Sequence, residues 1–175
     1  MKLIGSKGQK QLIKRNANQF DTIRTMKAVA IESARNPYFN YLINKYNLKP
    51  DKESIRRIFD YAFFNTHFKK DNPSVQQIRT GTRSLREGKA NCVDYSILLS
   101  SFLLNLGIPH SFRMVETEKN GNFSHIYVIT QNGLTLDCVI GQDQDGNEQY
   151  KTDEQRKNYF DREVPYFKKF DLKVL

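Results

Sequence analysis

Cys92, His125 and Asp137 follow one another along the chain in an order that suits thiol chemistry. A thiolate can attack an acyl carbon, an imidazole can take the thiol proton and hand it to a leaving group, and a carboxylate can orient the imidazole. Each residue also has an ordinary use. A free cysteine is most often a small buried apolar residue, a strand histidine is usually packed or hydrogen-bonded, and an aspartate among apolar neighbours needs a partner to offset its desolvation. On the residues alone both readings stand. Cys92 opens a long apolar segment, where the positive end of a helix dipole would favour the thiolate.

The elements that must position them can be read from periodicity. Residues 92–106 carry Ile97, Leu98, Leu99, Phe102, Leu103, Leu104 and Leu106, apolar on most sides, which predicts a central helix ended by Gly107 and Pro109. After Pro109 the period changes to two. Strands are expected at 110–116, 123–130 and about 134–140, joined by turns at Lys119-Asn120-Gly121-Asn122 and Gln131-Asn132-Gly133. Reflection about residue 132 places His125 near position 139, with Asp137 a same-face diagonal step away. His–Asp contact is therefore expected from turn geometry, and Cys138 should face the core.

Upstream, amphipathic helices are predicted over 19–35, from Tyr38 to Tyr46, and from an N-cap at Asp51 to Asp71-Asn72-Pro73. Residues 74–90 read as a loop-rich approach, and residues 141–162 as a long polar loop with some helix. Val164, Tyr166, Phe167, Phe170 and Leu172 read as a last strand or packing tail. Helices followed by an antiparallel meander make an α+β layout. His67 reads as a helix end and His110 as a strand start, so neither competes with His125.

With 175 residues, 38% hydrophobic content, twelve Phe and nine Tyr, the chain can build a packed enzyme-sized domain. The net charge of +9 is uneven: residues 1–70 hold 15 Lys/Arg against 5 Asp/Glu, and residues 71–175 hold 13 against 14. The division expected is a basic helical extension, 1–70, packed on a core, 71–175. The extension could touch a polyanion such as nucleic acid or wall polymer, or simply present a solvated surface. Two cysteines without a CxxC pair and three histidines give a zinc site little support. A Cys92–Cys138 disulfide would consume the proposed nucleophile. Neither an export signal nor a membrane span is expected, so a cytoplasmic location follows as an expectation.

From Val75 to Ile140 the chain resembles the transglutaminase-like cysteine-enzyme superfamily, a papain-like arrangement. The resemblance rests on Val75-Gln76-Gln77-Ile78-Arg79, Leu85 to Gly88, Asn91-Cys92-Val93-Asp94-Tyr95-Ser96, Leu103 to Pro109, Arg113, Ser124-His125-Ile126-Tyr127-Val128 and Leu136-Asp137. It implies a papain-like core with the cysteine-bearing helix on a small antiparallel sheet and added N-terminal helices. It also implies Cys92 as nucleophile, His125 as general base and acid, and Asp137 as orienting carboxylate. Gln76 matches an upstream glutamine that assists an oxyanion hole or positions substrate. No cofactor is implied.

Compact members carried by bacteria and phages look most similar, which implies hydrolysis of an amide or peptide bond in a protein or peptide substrate. For a phage protein the place of action would be the host cytoplasm or the virion. Protein-glutamine transamidation is the alternative within the fold, and a non-catalytic basic virion or nucleic-acid-binding module is the alternative outside it. Ala90-Asn91 stands where the family pattern has Gly-Asp, and Val93 where it has an aspartate.

Overall fold

In the computed structural model, residues 18–71, 77–139, 160–162 and 165–175 are described. Helices α1 (Gln19–Ala34), α2 (Pro37–Lys45) and α3 (Lys52–Asn65) come first. Each starts where a side chain satisfies free helix N–H groups. Asn18 and Asp21 form a reciprocal capping box on α1, Asn36 accepts from the Tyr38 N–H with Pro37 at the first turn of α2, and Asp51 Oδ1 accepts from the Ser54 N–H at 2.7 Å on α3.

Next come β1 (His67–Phe68), α4 (Gly81–Glu87), β2 (Lys89–Ala90) and α5 (Cys92–Asn105). β1 and β2 form a two-residue parallel pair, so His67 belongs to a strand and not to a helix end. The expected loop over 74–90 contains α4. Its determinants are short-range: Arg83 and Glu87 pair at 2.6 Å one turn apart, and Gly88 ends it with a φ of 63°. Gly81 has no room for a side chain, because a Cβ there would lie 2.9 Å from the Phe39 ring and 3.0 Å from the Leu98 Cα.

α5 is the central element. Every residue from Val93 to Leu103 is buried, and Ile97, Leu98, Leu99, Phe102 and Leu103 are at most 1% exposed. Burial of each such side chain is worth about 1.5–3 kcal/mol. α1, α2, α3 and α4 all pack on it, with β4 on the remaining side. One apolar cluster therefore runs from Ile23 in α1 to Val174 near the C-terminus.

The sheet holds β3 (His110–Val115), β4 (His125–Thr130), β5 (Thr135–Leu136) and β6 (Lys169–Lys173), all antiparallel in the order β5-β4-β3-β6. β4 and β5 pair Val128 with Leu136 and Ile129 with Thr135, the register that reflection about residue 132 predicts. Two strands are shorter than their alternation suggests. β5 ends at Leu136 because the Asp137 side chain turns back to accept from the Val139 N–H at 3.1 Å. β4 begins at His125, since Phe123 hydrogen-bonds to Gln19 and the Ser124 hydroxyl to Thr117. The polar stretch at 141–162 lies outside the described residues except for 160–162, and Val164 lies outside them too.

His110 is buried inside this framework. Its Nδ1–H donates to the Ile108 carbonyl at 2.8 Å, which leaves Nε2 to accept from the Ser100 hydroxyl at 2.7 Å. Burial lowers its pKa below the usual histidine value. Its role is to tie α5 to the first residue of β3.

Candidate active site

Cys92 is the first residue of α5, fixed there by a capping box. Asn91 Oδ1 accepts from the Asp94 N–H at 2.9 Å, and the Asn91 N–H donates back to Asp94 Oδ2 at 3.2 Å. The substitution of Asn91 for an aspartate keeps this cap intact, since both side chains present a suitable oxygen.

Beneath the cap lies a buried ionic cluster. Arg79 donates to Asp94 at 2.5 Å, to Asp71 at 3.2 Å and to Glu87 at 3.2 Å, and its main-chain N–H reaches Asp94 at 2.8 Å. The Asn91 amide closes the cluster by donating to Asp71 at 2.8 Å. Asp94 is fully buried, and this desolvation pushes its carboxyl up to about 6 against the pull of Arg79 and the Asn91 N–H. The guanidinium is held charged: burial opposes it, but Asp94 and Asp71 outweigh burial. Sequence reading passes over Arg79 as a site-building residue, although it closes the Val-Gln-x-x-Arg stretch. Gln76 lies outside the described residues.

β4 brings His125 to the same place. The imidazole stands close to the Cys92 thiol on the wall of one cleft, and its Nε2 lies 2.6 Å from Asp137 Oδ2. Carboxylate oxygens accept, so Nε2 carries a proton, and Nδ1 is left for the sulfur. The Asp137 side chain is 2% exposed and uses both oxygens, one for His125 and one for the Val139 N–H. Cys92, His125 and Asp137 are thus gathered in one place. Cys138 points the other way, is 1% exposed, and has a thiol pKa pushed well up by burial.

Two opposing effects act on His125. Burial lowers the pKa of an imidazolium, but the charge and hydrogen bond of Asp137, with a contribution from Cys92, raise it to about 10. A raised folded value stabilises the fold fully below the unfolded pKa, about 6.5, and that contribution is lost as pH rises towards 10. At about 1.4 kcal/mol per unit, a rise from about 6.5 to about 10 is on the order of 5 kcal/mol. Urea unfolding of wild type should therefore weaken between pH 7 and 10 more steeply than that of His125→Ala. Parallel pH curves for the two proteins would contradict the coupling. The rings of Tyr127 and Tyr166, at 5.9 and 6.4 Å from the imidazole centre, cover its flanks.

Cys92 and His125 lie on the wall of an open cleft of about 310 Å³. Val93, Met114, Phe123, Ser124 and Ile126 also line it, together with Gln19, Thr22 and Met26 of α1. From the sequence alone, α1 belongs to an appended helical extension with no part in the site.

The sequence profile of the transglutaminase-like superfamily matches residues 40–145, which include Cys92, His125 and Asp137. The chain belongs to the transglutaminase-like superfamily. The transglutaminase-like match begins within α2, so α1 lies outside it. Among solved structures, a candidate protease from Parabacteroides distasonis aligns with a TM-score of 0.45 and 12% identity, covering 74% of this chain and 35% of its own. A candidate cysteine protease from Cytophaga hutchinsonii aligns with a TM-score of 0.38 and 14% identity, covering 71% of this chain and 39% of its own. The chain thus spans little more than a third of either structure. No curated protein sequence matches it. Among the described residues no helix is long and apolar enough to cross a membrane.

Proposed function

We propose that this chain is a cysteine hydrolase that cleaves amide or peptide bonds through an acyl-enzyme. The observation that carries the reading is the placement of His125 close to the Cys92 thiol, with its Nε2 2.6 Å from Asp137, at an open cleft. With its pKa raised to about 10, His125 holds the thiol's proton as an imidazolium, and the thiolate sulfur attacks the carbonyl carbon. The C–N bond then breaks, and the amine leaves with the proton returned by His125. Water then loses a proton to His125 and attacks the thioester, which releases a carboxylic acid and restores the thiol. The main-chain N–H of Cys92, at the open end of α5, is the proposed donor to the oxyanion. Asp137 keeps the imidazole in the tautomer and orientation that both steps need.

Transamidation would use the same acyl-enzyme with an amine in place of water. Hydrolysis is favoured because Cys92 is partly exposed in an open cleft that water can enter. The test is incubation of the protein with a mixed peptide pool and a labelled primary amine, read by mass spectrometry. New carboxyl termini without amine incorporation, absent in Cys92→Ala, are expected. Amine incorporation without cleavage would overturn the preference for water, and the absence of both products would defeat the acyl-transfer reading.

A further inference from the structure

Gln19 makes an unusual contact for a residue at the start of a surface helix. Its carboxamide Nε2 donates to the Phe123 carbonyl at 2.9 Å, and its Oε1 accepts from the Phe123 N–H at 3.3 Å. One side-chain amide therefore satisfies both main-chain groups of one residue. This is the two-bond exchange that directly opposed residues make in an antiparallel pair, so Gln19 stands where one residue of an extended chain would fit. Phe123 is two residues before His125, and both line the cleft with Gln19 and Cys92. Beside this contact sits a three-ring cluster. Phe20 packs edge-on against Phe170 at 5.1 Å and against Phe123 at 6.2 Å, yet remains 41% exposed. Among the described residues that line the cleft none is Asp, Glu, Lys or Arg.

Resting on the acyl-transfer reading, we propose that the main chain of Phe123 docks one residue of an extended peptide substrate, and that Gln19 holds this position in the free protein. The substrate class follows from the surroundings. A large apolar side chain beside the docked residue would cover Phe20 and Phe123, whereas a charged one would lose its solvation without gaining a partner. α1, outside the superfamily match, then acts as a specificity element: Gln19 competes with the substrate main chain, and Phe20 rewards its side chain.

The experiment uses the full chain in a Cys92→Ala background, so that nothing is turned over, and fluorescence anisotropy of two labelled alanine-based hexapeptides. One carries a central Phe and the other a central Glu. The Phe peptide should bind at least roughly tenfold more tightly than the Glu peptide. Gln19→Ala should tighten the Phe peptide by roughly three- to tenfold, since it removes the competing pair of hydrogen bonds, and Phe20→Ala should weaken it by a similar factor. Equal binding of the two peptides, no binding of either, or an affinity indifferent to both Gln19 and Phe20 would overturn the inference. Docking without turnover by the wild-type protein would defeat the proposed function alone. Turnover without the expected docking pattern would defeat this inference alone.

Discussion

Replacing His125 by Ala should lower amide turnover by roughly a hundred- to ten-thousand-fold, the range lost when a positioned acid–base group is removed. The reason is that one ring serves both half-reactions, taking a proton from the thiol and giving it to the departing amine. Asp137→Asn should cost up to about ten-thousand-fold, because the ring stays in place while the carboxylate that holds its proton on Nε2 is gone. The two variants should differ in stability. His125→Ala strands a nearly buried carboxylate with the Val139 N–H as its remaining hydrogen bond, whereas Asp137→Asn leaves no charge behind. Steady-state kinetics on a peptide found by the cleavage assay, with urea unfolding alongside, separates the two effects. Turnover by His125→Ala within threefold of wild type would remove the imidazole from the mechanism.

The second large effect is expected at Arg79, a residue that touches neither the cleft nor the thiol. Arg79→Met should destabilise the fold by about 3–5 kcal/mol, because it leaves Asp94, Asp71 and Glu87 facing one another without their common cation. The same change should slow reaction of Cys92 with substrate, since Asp94 and Asn91 together fix the first turn of α5. Arg79→Lys should recover only part of the stability. A point charge cannot reproduce a planar fork that reaches three carboxylates. Urea denaturation of the three proteins reads the order directly. An Arg79→Met protein as stable as wild type would show that the cluster is dispensable to the fold.

Much of this arrangement is legible in the sequence, and what is not has physical causes. α5 announces itself through an apolar run too continuous for a surface helix. The β4–β5 register follows from Asn132-Gly133, so the meeting of His125 and Asp137 is readable from turn geometry alone. The capping residues Asp51 and Asn36 are local signals and mark their helices well. α4 is harder to see because it is short, begins with a glycine, and owes its place to close packing on α5. β1 and β2 are two residues each, below any periodicity. β5 stops early because the Asp137 side chain competes for the main chain of Val139. Arg79 and Gln19 act through contacts 15 and 104 residues away, and no spacing rule reaches so far. α1 reads as an amphipathic helix from its own residues, but only the folded chain puts its first turn against Phe123.

The central claim is that His125 activates Cys92, and the rate of Cys92 alkylation by iodoacetamide at pH 6, followed by intact mass, tests it most directly. Cys138 is buried and should not compete. The wild-type thiol should react at least roughly tenfold faster than an ordinary free thiol at that pH, and His125→Ala should bring it back to the ordinary rate. A wild-type rate equal to that of an ordinary thiol at pH 6, unchanged by His125→Ala, would contradict the account.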